Sequence, residues 1–109
     1  MFAIFEKIIG TITNLIHRQR PMSMDEVNKA LEQRSIERTA TTKEYLDWRV
    51  SIVDLLKLLD LDNDLPARRK LAEELKFGAT FDGTAEQNRE LHKLVMEQVA
   101  KRCVEIPKP

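Results

Sequence analysis

The feature that most constrains this chain is the recurrence of large apolar residues every third or fourth position, with very little to interrupt it. On a helical wheel at about 100° per residue, Phe2, Ile4, Phe5, Ile8, Ile9, Ile12, Leu15 and Ile16 gather on one face. Glu6, Lys7, Gly10, Thr11, Thr13, Asn14, His17 and Arg18 occupy the other. Such a stripe has to be covered by something. The same spacing returns at Trp48, Ile52, Leu55, Leu56 and Leu59, at Leu71, Ala72 and Leu75, and at Leu91, Leu94, Val95, Val99, Ala100 and Cys103. Only 3 Gly and 4 Pro punctuate the 109 residues, so turn signals are few. The sequence therefore predicts an all-α fold: a compact orthogonal bundle of about four helices over residues 21–109, plus an amphipathic helix over residues 1–20.

Local signals place the boundaries. Pro21 closes the first helix, because the residue before a proline avoids the α region. Ser23 and Glu26 form a capping box that opens a short second helix ending near Arg34, and the polar stretch from Ser35 to Thr42 reads as an exposed connector. Asp47 is the expected N-cap of the third helix. The fourth runs from Leu65 to about Lys76, with Asp64 as N-cap, Pro66 in the first turn and Gly78 as the C-terminal cap. Thr84 and Gln87 form a second capping box before the fifth helix.

The carboxylates of Asp60, Asp62 and Asp64 have the spacing of the first three ligands of a calcium loop. Position 6, where the loop turns sharply on glycine, is Leu65, and position 12, where a bidentate Glu is needed, is Leu71. Three cations, Arg68, Arg69 and Lys70, follow at once. The motif reads as a helix start, and no metal or other cofactor is expected. One cysteine, Cys103, excludes an internal disulfide and a cysteine-rich zinc site. On the inward face of the last helix it reads as a buried, unreactive thiol. His92 reads as an edge-of-core residue with a hydrogen-bond partner, His17 as a surface residue, and Trp48 as a core anchor. There is no phosphate-cradling glycine loop, nucleophile elbow or zinc-protease motif, so no enzyme is expected.

Charge limits the partners. Lys+Arg and Asp+Glu both number 18, whereas nucleic-acid binders carry a basic excess. The run Arg68–Lys70 lacks an aromatic neighbour and reads as a solvated helix face. No stretch approaches 18 consecutive apolar residues, so a membrane span is not expected. Arg18 and Arg20 follow the first apolar stretch rather than precede it, unlike a secretory signal. A cytoplasmic protein is expected.

Trp48-Arg49-x-Ser51-Ile52-Val53-Asp54-Leu55-x-Lys57-Leu58-Leu59 and Ala67-Arg68-x-x-Leu71-Ala72-x-Glu74-Leu75-x-Phe77 form two distinctive blocks. With Leu91-His92 and Val95-Met96, they resemble a small family of bacterial and phage proteins described as domain of unknown function 3597. The likeness covers roughly the last two thirds of the chain. It implies five helices, with a flexible link between the first and the others, and no activity. The Gln19–Met22 connector is short for that pattern, and Glu90 stands where an aromatic is expected. Within the first block, Asp54 or Arg49 is expected to tie the third helix to a neighbour through a charge-assisted hydrogen bond.

The function expected on these grounds is a non-enzymatic protein-interaction module. Its candidate interaction face is Phe2, Phe5, Ile8, Ile9, Ile12 and Ile16, packed on the bundle itself, on a protein partner or on a second copy. The alternative is a peripheral membrane protein, with the same face in the headgroup boundary and Arg18 and Arg20 near anionic lipid.

Overall fold

The computed structural model describes residues 3–16 and 23–104, the side chains of Cys103 and Val104 excepted. Five helices form, with no strand among the described residues: α1 (Ala3–Ile16), α2 (Met24–Thr42), α3 (Ile52–Leu58), α4 (Leu65–Glu74) and α5 (Ala85–Val104). The fold is all-α. One core runs through it, in which Phe5, Ile8 and Ile12 of α1 meet Val27, Leu31, Leu55, Leu71, Leu91, Val95 and Val99. The first helix packs on α2, α4 and α5, while α3 packs on α2 and α5. The molecule measures 40 × 36 × 19 Å, and the thin dimension accommodates two helix layers.

The N-terminus of α1 is capped by another helix. Glu74, the last residue of α4, is only 8% exposed. Its Oε1 accepts from the Phe5 N–H at 2.9 Å, and both its oxygens accept from the Ile4 N–H, at 3.1 and 3.0 Å. First-turn N–H groups have no partner within their own helix, and a carboxylate there also meets the positive end of the helix dipole. At the opposite end of the chain, Arg102 of α5 donates to both Glu6 oxygens at 2.6 and 2.9 Å.

The second helix runs through the stretch that the sequence suggested was a connector. Ser23 and Glu26 form the capping box, but the helix continues past Arg34 to Thr42. Its second half has no apolar stripe because other contacts hold it. Arg34 and Arg38 both donate to Asp60 at 2.6 Å, and Gln33 donates to Glu37 one turn on, at 3.3 Å. Thr41 and Thr42 direct their hydroxyls back to the carbonyls of Glu37 and Arg38. The Lys43 N–H donates to the Thr39 carbonyl, with Lys43 itself at φ 62°.

Three caps differ from expectation. Ser51, not Asp47, caps α3 by accepting from the Asp54 N–H at 3.2 Å. Asp47 instead starts a turn, its carbonyl accepting from Val50 and Ser51. The α4 terminus is closed by Lys76 at φ 56°, and the Phe77 N–H reaches the Ala72 carbonyl at 2.9 Å. Gly78 lies beyond that closure. The third departure is at α5, where Thr84 accepts from the Gln87 N–H at 3.1 Å. The Gln87 side chain does not return to Thr84. It accepts from the Asp82 N–H at 2.7 Å and donates to the Thr80 carbonyl at 2.8 Å, fastening the preceding loop. Asp64 caps α4 as expected, accepting from Ala67 at 2.9 Å.

Candidate functional site

The expected interaction face lies largely inside the molecule. Phe5, Ile8 and Ile12 are 4%, 0% and 1% exposed, and Ile9 and Ile16 are partly buried against the same core. Phe2, and the expectations for His17, Arg18, Arg20 and Pro21, lie outside the described residues, as does the side chain of Cys103. The apolar surface that α1 presents is therefore covered by α2, α4 and α5.

The other residues singled out in the sequence also serve the fold. Asp60 is held by Arg34 and Arg38. The Arg38 hydrogen bond holds its carboxyl below the usual carboxylate range. Slight burial opposes this, while the charges of Arg38 and Arg34 reinforce it. With Asp64 serving as a helix cap, the calcium-like spacing is divided between two structural tasks. Arg68 and Arg69 are not simply a solvated face. Arg68 donates to the Asn63 carbonyl at 3.1 Å and to Asn88 of α5 at 2.8 Å, and Arg69 donates to the Phe81 carbonyl at 3.0 Å. His92 is 7% exposed, with Nε2 at 2.8 Å from the Trp48 carbonyl.

Asp54 accepts from the Asp47 N–H at 2.8 Å, fastening the incoming segment to α3. Arg49 reaches α2 through an exposed contact with Glu32 at 3.4 Å. Its guanidinium lies 4.4 Å from the Trp48 ring centroid, within cation–π range.

These last contacts border a concave surface. The extended segment after α2 and the turn at Trp48–Val50 fold back along α2 and leave a cleft of about 270 Å³. Trp48 and Leu46, each 3% exposed, form its floor with Ser35. Ile36 and Tyr45 stand on its walls at 56% and 74% exposure, and Val50, at 59%, follows Arg49 in the bordering turn. These three are the exposed large apolar side chains among the described residues. Isolated exposed apolar residues are ordinary; here Ile36 and Tyr45 flank one concavity. A second hollow, lined by Asp25, Asn28, Lys29, Glu32, Gln33 and Arg49, extends the groove along α2. The Glu32–Arg49 pair is common to both.

The volume decides what can enter. At about 270 Å³ this cleft lies at the small end of the range of about 300–1,000 Å³ usual for small-molecule sites, with room for one or two side chains. The sequence alone does not reveal it, because Ser35, Ile36 and Thr39 read there as a connector, and only a helix carried to Thr42 brings them opposite Trp48. The available signal was Ile36, Tyr45 and Val50 themselves, apolar residues that fit no buried stripe.

A family model described as "Domain of unknown function (DUF3597)" matches residues 12–107. No curated protein and no solved structure matches the chain.

Proposed function

We propose, for a chain that belongs to the family described as domain of unknown function DUF3597, a role as a non-enzymatic protein-interaction module that receives part of a partner in the Trp48 cleft. One observation carries this reading: exposed Ile36 and Tyr45 flank a concavity whose floor includes the buried Trp48, with exposed Val50 in the adjoining turn. A rigid floor costs little entropy to bind against, and aromatic anchors dominate interface energies. The floor is rigid because the Trp48 carbonyl is bonded to His92 and Arg49 lies over its ring.

The role expected of the α1 face moves to this cleft, since α1 is spent on the core. Membrane attachment through α1 would require Phe5, Ile8 and Ile12 to leave that core. No helix among the described residues is long and apolar enough to cross a membrane. A single cysteine in the whole chain supports a reducing compartment, and we take the cytoplasm as the place of action.

The test is site-specific photocrosslinking in cells, with a benzophenone amino acid at Tyr45 or at Arg89, an exposed position on α5. The reading expects a discrete adduct from Tyr45, mapped by mass spectrometry to one segment of one partner and lost on Ile36→Glu. Equal patterns from the two positions, or an adduct indifferent to Ile36→Glu, would refute it.

A further inference from the structure

Two polar groups of the cleft specify what should enter it. Ser35 is 6% exposed and lines the cleft; its hydroxyl makes no hydrogen bond to the described residues and keeps some exposure to the solvent of the cleft. A serine within a helix usually returns its hydroxyl to the carbonyl one turn back. In this same helix Thr41 and Thr42 do so, and Ser35 does not. A hydroxyl that faces the cleft without a protein partner is free to hydrogen-bond a ligand group that reaches the floor.

The second group is the Asp47 carboxylate on the rim. The other charges there are matched: Glu32 pairs with Arg49 at 3.4 Å, and neighbouring Glu44 lies 3.8 Å from Lys57. Asp47 uses its backbone N–H and carbonyl to shape the turn, leaving its exposed carboxylate without a cation among the described residues. The cleft therefore offers an apolar floor, a hydroxyl at depth and one uncompensated negative charge at the edge.

Resting on the reading of this cleft as a docking surface, we infer that its occupant is a peptide segment of a protein partner carrying an aliphatic side chain next to a lysine or arginine. The aliphatic group lies on Trp48 and Leu46 between Ile36 and Tyr45. A main-chain amide of the segment hydrogen-bonds Ser35, and its cation pairs with Asp47. An exposed ion pair is weak, so the charge preference should be modest and measurable.

The test uses the full chain, labelled with 15N, titrated with acetyl-Gly-Leu-Lys-Gly-amide or its Leu-Glu counterpart to concentrations on the order of 10 mM, enough to populate millimolar complexes. Expected are shifts of the Ser35, Ile36 and Tyr45–Trp48 amides, with the lysine peptide binding about two- to fivefold more tightly. Asp47→Asn should bring that ratio to about one, and Ser35→Ala should weaken both peptides together. Equal or reversed binding with shifts still in the cleft would overturn the cationic preference while leaving the docking surface standing. No shift there with either peptide would overturn both. If the same amides shift on dilution of the protein alone, the occupant is a second copy and the inference fails.

Discussion

Replacing Glu74 with alanine removes the tertiary cap of α1 and tests how firmly that helix is held. The carboxylate accepts from Ile4 and Phe5 at 2.9–3.1 Å in a site that is 8% exposed. Loss of an ordinary N-cap costs about 1 kcal/mol, and a partly buried charge at a helix terminus contributes up to about 2 kcal/mol. Leaving the buried Phe5 N–H without a partner costs about 1–3 kcal/mol. These are overlapping views of one interaction and do not add, so the expected loss is about 2–3 kcal/mol. Unfolding entropy of about 2.1 cal/mol/K per residue gives about 0.23 kcal/mol/K for a chain of 109 residues. The melting temperature should then fall by about 9–13 °C.

Glu74→Gln keeps the shape and one acceptor oxygen but loses the charge, and should cost about 1 kcal/mol. Thermal denaturation followed by circular dichroism measures both. The Ile4 and Phe5 amides should lose hydrogen-exchange protection in the alanine variant. A change in stability below about 0.5 kcal/mol, with those amides still protected, would refute the cap.

Two glycines should respond in opposite directions. Gly10 lies within α1 with open space where a Cβ would stand, so Gly10→Ala should stabilise by about 0.8–1 kcal/mol in a denaturant titration. At Gly83, where φ is +79°, a Cβ would come within 2.8 Å of Leu65 Cδ1, and Gly83→Ala should destabilise by about 1–3 kcal/mol. Asp60→Asn keeps a residue type that tolerates the φ of 58° but releases Arg34 and Arg38, at a cost of no more than about 1 kcal/mol because the side chain is 62% exposed. Its folded pKa is lowered, so this contribution is present above the unfolded value of about 3.9 and fades as pH falls below it toward the folded value. Urea titrations of both proteins across that range should converge at the acid end.

The residues facing the core were legible because burial imposes periodicity. Trp48, Ile52, Leu55, Leu71, Leu91 and Val95 could be read from spacing alone and are all buried. The second half of α2 could not, since it is held by Arg34 and Arg38 reaching Asp60, more than twenty residues away in sequence. The caps show the same limit. Ser23 and Asp64 act within three residues of themselves, whereas Glu74 acts across seventy positions and leaves no local signature. Lys43, Asp60 and Lys76 adopt left-handed conformations where glycine would be the ordinary choice, which hid those turns. The cleft was illegible for a combined reason: it needs the full length of α2 and the return of the segment around Trp48, two features set by distant contacts.

Native-state hydrogen exchange on the full chain tests the central claim most directly, that the apolar face of α1 belongs to the core of this molecule. The amides of Ile8 and Ile12 should be protected as strongly as those of Leu91 and Val95 in α5, exchanging only with global unfolding. Exchange of the α1 amides orders of magnitude faster than those of α5 would show a helix that opens independently, and would contradict the account.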